Sequence, residues 1–261
     1  MLEFGPLVRQ WRTARRFTQE QLADDAEIST RHLSFLECGR SRPSREMVLL
    51  LASALELPLR DRNTLLAAAG FTPAYTTGSL EGPELAPVMR AVGWLLDLHE
   101  PFGAVVVDRA WNLLRANAGA RRLLELFPPT DPCAAQNLML TLVHPGGLRP
   151  YIQGWEHLAG HLVERHIQEV AAHPQDEVRR RVLEQVLAQP GVSEVRRSAP
   201  ESLAPFATVH LRGPVAEVRL FTLLTTLGTP LDVTAEELRI ESYYPADSAT
   251  ETLLRALATR D

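Results

Sequence analysis

The stretch T-Q-E-Q-L-A-D-D-A-E-I-S-T-R-H-L-S-F-L-E-C-G-R-S-R-P, from Thr18 to Pro43, sets helix starts and stops so closely that few folds can hold it. Thr18 followed three residues later by Gln21 is a capping-box pattern, which opens a helix from Gln19 to about Asp25 with Leu22, Ala23 and Ala26 turned inward. Ser29 is a second N-cap. It opens a helix that buries Leu33 and Leu36 and stops at Gly39. Two short helices across a three- or four-residue turn make a helix-turn-helix, and Ala23 is small where they would cross. Three more helices flank the pair. Leu7, Val8 and Trp11 mark one from about Pro6 to Arg15. Ser44 opens another with Met47, Val48, Leu50, Leu51 and Leu55 as its apolar side, and Pro58 starts a fifth that ends at Gly70.

Taken together, T-Q-E-Q-L-A, then I-S-x-x-x-L-S-x-L-E-x-G-x-x-x-P, then a Leu-rich helix resemble the lambda-repressor-like domain of the XRE family over about residues 4–70. The resemblance implies a DNA-reading role for named residues. Gln19 would touch a phosphate or a base edge. Ser29, Thr30, Arg31, Ser34 and Phe35 would begin or face the groove side of the recognition helix. Arg31 would fork onto guanine and Phe35 lie against a thymine methyl. Arg40, Arg42 and Arg45 would meet the backbone, which positions without reading sequence. Glu37 would pair with Arg12 inside the protein. Family members usually carry Gly in the turn. Glu27 stands there instead, at a cost if its φ is positive.

Charge agrees with a DNA-binding first part inside an acidic chain. The net formal charge is −5, and all 27 basic residues are Arg. Residues 1–70 balance at +1 and residues 71–261 at −6. Arg9, Arg12, Arg15 and Arg16 form one basic group; Arg31, Arg40, Arg42 and Arg45 form another. Local charge decides what docks where, and Arg grips phosphate and guanine as a planar fork.

After Gly70 the sequence F-T-P-A-Y-T-T-G-S-L-E-G-P-E loses helical pattern. A linker is expected at residues 74–84, between a DNA-binding domain at 1–73 and a second domain at 85–261. Leu85, Val88, Met89, Val92, Leu95 and Leu96 give a helical stripe. Gly103 to Val107 reads as a buried strand, Asp108 and Arg109 as a turn, Trp111 to Leu114 as a second strand, and Asn117 as the start of a helix. That order is how a PAS-type sensor domain opens. Residues from Tyr151 to about Gln189 read as two helices separated at Pro174, with Trp155, Leu158, Leu162, Ile167 and Val170 inward. T-V-H-L-R, V-A-E-V-R-L-F-T-L-L-T-T-L and L-R-I-E-S-Y-Y-P read as three antiparallel strands, closed by a helix from about Ala249 to Ala258. The expected fold class is therefore α+β in two domains, an all-α five-helix domain followed by an antiparallel sheet flanked by helices.

V-V-V-D-R-A-W-N-L-L-R-A-N, N-L-M-L-T-L-V-H-P-G-G-L-R-P and T-P-L-D-V-T-A-E-E-L-R-I-E-S-Y-Y-P-A-D resemble the ligand-binding half of MmyB-like regulators, which join an XRE-type domain to a PAS-like one. The resemblance implies a sensor for a small hydrophobic molecule, with fatty acids as the suggested class. A pocket for such a molecule needs an apolar lining with few polar anchors. Candidates are Phe102, Val105, Val107, Trp111, Met139, Leu142, Trp155, Phe221 and Leu223, with Arg149 as an anchor for a carboxylate head. Each apolar candidate serves equally as plain core. H-P-G-G-L-R-P at 144–150 reads chiefly as a rigid turn.

No cofactor or metal is expected. His157 and His161 have a metal-compatible spacing, but with His166 they read as solvent-facing, and no H-E-x-x-H is present. Arg179, Arg180 and Arg181 read as a solvated helix face. Cys38 and Cys133 form no C-x-x-C pair. No G-x-S-x-G, phosphate loop or dinucleotide fingerprint marks an enzyme. No apolar run suits a membrane span and no secretion signal opens the chain, so a soluble, cytoplasmic protein is expected. The partners expected are a double-stranded DNA operator, a small-molecule effector and a second copy of the chain. A second domain that is catalytic, or that docks a protein, remains the alternative.

Overall fold

A computed structural model describes residues 3–198 and 208–259. The chain divides into two compact units. The first takes in the chain up to Ser79 together with Glu169–Glu177 and Thr229–Glu236; the second comprises Leu80–Gln168, Val178–Gly228 and the chain from Glu237. Among the described residues no helix is long and apolar enough to cross a membrane.

The first unit begins with five helices, α1 (Phe4–Ala14), α2 (Gln19–Asp25), α3 (Thr30–Glu37), α4 (Arg45–Ala54) and α5 (Leu59–Ala68). Their starts are set by side chains. Thr18 accepts from the Gln21 amide at 3.1 Å, and Gln21 Oε1 accepts from the Thr18 amide at 2.8 Å, closing the capping box. Ser29 and Ser44 cap α3 and α4, each at 3.2 Å. The inward faces meet in one core around the fully buried Trp11, Leu22, Leu33, Leu51 and Leu65.

All five helices end alike. The residue after the C-cap turns left-handed and the next amide returns to a carbonyl near the end of the helix. Arg16, Glu27, Gly39, Glu56 and Gly70 hold these positions, with φ of 59°, 53°, 71°, 48° and 85°. At the α2–α3 turn the Ile28 amide donates to Ala23 O at 2.9 Å and the Glu27 amide to Asp24 O at 3.0 Å. Glu27 thus stands where a Cβ is disfavoured, which accounts for the usual Gly. Glu27→Gly is expected to raise the stability of this unit by roughly 0.5–1 kcal/mol, the relief of left-handed strain offset by a freer unfolded chain. Chemical denaturation of the two proteins checks this.

Two segments distant in sequence complete the first unit on and beside α5. Glu236, at the end of α12 (Val233–Glu236), accepts from the Leu59 amide at 2.8 Å, supplying the cap that Pro58 cannot. Asp232 accepts from the Thr76 hydroxyl at 2.7 Å and the Gly78 amide at 2.8 Å, and from the Thr234 and Ala235 amides at 2.8 and 3.2 Å. His173 Nδ1 lies 3.2 Å from the buried Asp61 carboxylate. Asn63 holds the Ala74 and Tyr75 amides at 2.9 and 3.1 Å. Burial pushes the Asp232 pKa up, but the hydrogen bonds from Thr76, Ala235, Gly78 and Thr234 outweigh it and hold the pKa below 3.8. The sign follows: this stabilisation is complete above the ordinary aspartate range and disappears as pH falls through the lowered value. Asp232→Asn is expected to flatten the acid limb of the stability–pH curve, measured by urea denaturation between neutrality and strong acid.

The second unit opens with α6 (Ala86–Leu98) and a five-stranded antiparallel sheet in the order β2-β1-β5-β4-β3: β1 (Ala104–Val107), β2 (Leu113–Ala116), β3 (Thr208–Arg212), β4 (Glu217–Thr225) and β5 (Arg239–Pro245). The β1–β2 turn is organised by Asp108, whose carboxylate accepts from the Ala110 and Asn112 amides at 2.8 and 2.9 Å. Trp111 lies in that turn at φ 63°, so the strand starts at Leu113 instead of Trp111. Asn117 caps α7 (Ala118–Leu126) and also accepts from the Ala104 amide at 2.8 Å, fixing this helix to β1.

Both sheet faces are covered at β1, which is why Ala104–Val107 is an unbroken apolar run. One face carries Ala104, Val106 and Ile240 against α6 residues Met89, Val92 and Leu96. The other face meets α7, α8 (Leu138–Val143), α9 (Trp155–Ala172), α10 (Glu177–Leu187), α11 (Val192–Ser198) and α13 (Ser248–Ala258) in the larger core. Two surface expectations need correction. His166 is 1% exposed, because it continues the inward stripe of Trp155, Leu158, Ala159 and Val163. Arg179 is buried as well, with its Nε donating to Arg109 O at 3.4 Å. His157 and His161 stay on the surface, 3.2 Å apart, and no group of three metal-binding side chains occurs among the described residues.

Candidate functional site

The first candidate surface is the outer face of α3. Its inner face is fixed by Leu33 and Leu36, which leaves Thr30 and Arg31 exposed and Ser34 and Phe35 half-exposed on the other side. The Arg31 guanidinium lies over the Phe35 ring at 5.3 Å, one turn away. This cation–π contact presents the guanidinium from an apolar platform. Ser29 spends its hydroxyl as the helix cap. Arg40 and Arg42 are exposed just beyond the helix. Arg45 is turned back, donating to Thr72 O at 2.7 Å.

Behind α3 lies a clamp. Arg12 Nε donates to Glu37 Oε1 at 2.7 Å, Arg12 Nη2 to Oε2 at 3.2 Å, and Gln19 Nε2 to Oε2 at 2.7 Å. Arg12 Nη1 also donates to Phe17 O at 2.9 Å. Glu37 is 6% exposed, so its charge is matched by a bidentate guanidinium within the protein. The clamp joins α1, the first residue of α2 and the last of α3. It fixes the angle between the two helices of the motif. Gln19 therefore has its amide committed to Glu37, which the sequence pattern did not disclose.

The second candidate is a cavity of about 90 Å³ on one face of the sheet, against α7 and α8. Strand alternation selects its wall, with a register shift in the β1–β2 pair bringing both Leu113 and Ala116 onto it. Val105, Leu113 and Ala116 come from β1 and β2, Val209 and Leu211 from β3, Leu220 and Thr222 from β4, and Glu241 and Tyr243 from β5. Ala120, Leu123 and Leu124 of α7, together with Leu138, Thr141, Leu142 and Leu148, close it. The Thr141 hydroxyl is spent on Ala134 O and Asn137 O, both at 2.9 Å. Burial raises the Glu241 pKa, against the pull of Arg165, Thr222 and Arg239. Burial, and then the Glu241 charge, raise the Tyr243 pKa well above 10.

Of the ten residues expected to line a pocket, Val105 and Leu142 lie on this wall. Val107 and Met139 are buried in the core around it, and Phe102 packs against that core. Trp111 carries the Arg165 and Arg239 guanidinium groups on its ring at 4.5 and 4.9 Å. Trp155 donates its indole N–H to Leu142 O at 3.0 Å. Arg149 lies 3.6 Å over the Trp155 ring and donates to Pro190 O, so it takes no place on the cavity wall. Phe221 and Leu223 belong to the opposite sheet face. Phe221 stacks on Tyr244 at 5.5 Å, and Leu223 is 53% exposed. Their neighbours Leu220 and Thr222 point into the cavity instead. Glu241 and Tyr243 were missed. The signal was available in the i, i+2 relation that sets them both on the face of Val105, across the β1–β5 pair where Val105 opposes Glu241.

Two stretches of the chain match known families. Residues 3–65 match the model of a helix-turn-helix domain, and residues 88–257 match that of the MmyB-like transcription regulator ligand binding domain. Over 55 residues the chain is 36% identical to the transcriptional regulator ClgR of Mycobacterium tuberculosis, in strains CDC 1551 / Oshkosh and H37Rv. That match takes in 21% of this chain and 49% of the relative, so the chain spans about half the length of the curated relatives it matches. A solved RNA-binding light-oxygen-voltage receptor aligns over 94% of this chain and 59% of its own, at 13% identity and a TM-score of 0.24. With a helix-turn-helix domain followed by this ligand-binding domain, the chain belongs to the MmyB-like transcription regulator family.

Proposed function

We propose that the protein binds a specific operator through α3 and that a small apolar effector in the sheet cavity tunes this binding. The observation that carries the first part is the α3 outer face, with Arg31 stacked on Phe35 and held at a fixed angle by the buried Glu37 clamp. Arg31 is the base-reading residue in this reading. Thr30, Ser34 and Phe35 surround it, and Arg40 and Arg42 supply backbone contacts. Gln19 and Arg45 enter as supports of the fold that can still approach a phosphate. Two copies bind a two-fold symmetric operator, since one such module covers little DNA and paired half-sites suit a dimer.

The coupling route is covalent. The segments Glu169–Glu177 and Thr229–Glu236 belong to the first unit, yet each is continuous with elements of the second: the first joins α9 to α10, the second joins β4 to β5. Both β4 and β5 supply cavity wall. An effector that favours one arrangement of these strands biases the segment that caps α5 through Glu236, which is a population shift driven by differential affinity. This favours a binding role for the cavity over a catalytic one, and its small apolar interior does not offer a surface to a docking protein.

Arg31→Ala is the direct test of the DNA reading. It is expected to weaken operator binding by about 1–3 kcal/mol and to relax discrimination at one base pair, while Arg42→Ala weakens all sequences alike and lowers the salt slope by about one. Selection from a random duplex pool, followed by affinity measurement across salt, reads both. An unchanged base preference in Arg31→Ala would remove α3 as the reading helix.

A further inference from the structure

The cavity is lined almost entirely by carbon, so its few polar atoms decide which head group it accepts. They lie together. Glu241 and Tyr243 are two apart on β5 and so project on one side, with Thr222 directly across from Tyr243 on β4. Thr222 lies beside the Glu241 carboxyl and favours its charged form. No described residue provides a partner for the Tyr243 hydroxyl, and the half-buried ring borders the cavity. A ligand oxygen beside this hydroxyl would gain a hydrogen bond from it.

We propose, resting on the effector reading above, that the cavity takes a medium-chain amphiphile with an uncharged hydroxyl head, which donates to Glu241 and accepts from Tyr243. A carboxylate head, the chemistry expected of a fatty acid, meets no cation among the described residues of the wall. Arg165 and Arg239, which favour the charged form of Glu241, lie over the Trp111 ring. Arg149 is held on Trp155 and Pro190. A carboxylate would therefore stand beside the Glu241 carboxyl, and two such groups in one apolar site cannot both be ionised. An alcohol satisfies both protein groups with one oxygen and buries no charge.

The test is calorimetric titration of the purified, delipidated full chain with 1-octanol and with octanoate at neutral pH. Octanol is expected to bind at least about tenfold more tightly, the difference that 1.4 kcal/mol makes. Glu241→Gln is expected to improve octanoate about tenfold, and Tyr243→Phe to weaken octanol about fivefold while leaving octanoate unmoved, the ordinary effect of one lost neutral hydrogen bond. Octanoate binding as well as octanol in the unaltered protein, or a ratio that Glu241→Gln does not change, overturns the head-group assignment while the effector reading stands. Failure of both ligands to bind, with octanol taken to its solubility limit, overturns the effector reading of this cavity and the head-group assignment with it.

Discussion

Glu37→Ala is expected to destabilise the first unit by about 3 kcal/mol, near the lower end of what removing one partner of a buried ion pair costs. The charge left behind is the reason. Arg12 keeps only 13% of its side-chain surface exposed, and its Nη1 is already tied to Phe17 O, so the guanidinium cannot turn out to water without breaking that bond as well. Gln19 loses the acceptor of its amide at the same time. Glu37→Gln separates charge from shape: it keeps one acceptor for Arg12 and Gln19 and should cost visibly less. Hydrogen exchange of peptides covering α1 and α3 locates the loss. Faster exchange in both helices for Glu37→Ala, with the second unit unchanged, is the expected pattern, and operator affinity falls with the helix angle.

The second large effect is at Gly5. A Cβ on Gly5 would lie 2.5 Å from both Leu36 O and Glu37 O. Both obstacles are main chain at the end of α3, so no side-chain rotation relieves the clash. Either α1 moves off or the last turn of α3 is displaced. Gly5→Ala is expected to cost about 2–3 kcal/mol by overpacking, less any gain from Ala in a helix. Because the displaced turn holds Glu37, the variant should also weaken the Arg12 clamp. A double variant with Glu37→Ala is then expected to lose less than the sum of the two. Urea denaturation of the four proteins in this cycle checks it.

The parts of the fold that local chemistry decides were legible in the sequence. Thr18 with Gln21, Ser29 and Ser44 announce helix starts because a side-chain oxygen must satisfy the first amides, and these bonds are made within three residues. The Arg12–Glu37 pair followed from the family resemblance and is present. Glu27 marked an unusual turn, and its left-handed backbone gives the reason. The cavity wall was legible only in part, because it depends on which sheet face a residue takes. Phe221 and Leu223 look internal by residue type, but alternation counted from the buried Val218 and Leu220 puts them outside. Glu241 looks external by residue type, and only the tertiary covering of that face makes it internal. Arg149 stands beside an apolar helix in sequence, but where its long side chain runs is a matter of packing on Trp155. In the same way, the bond from Gln19 to Glu37 follows from the packing of the helices, not from the local sequence pattern.

The central claim is that occupancy of the sheet cavity changes operator affinity. The most direct measurement is operator affinity of the full chain, on a duplex recovered by selection, with and without saturating 1-octanol. A change of about 5- to 150-fold is expected, corresponding to a coupling of about 1–3 kcal/mol, and the same factor must appear in octanol affinity with and without DNA. Operator affinity that stays the same while octanol is bound would contradict the claim.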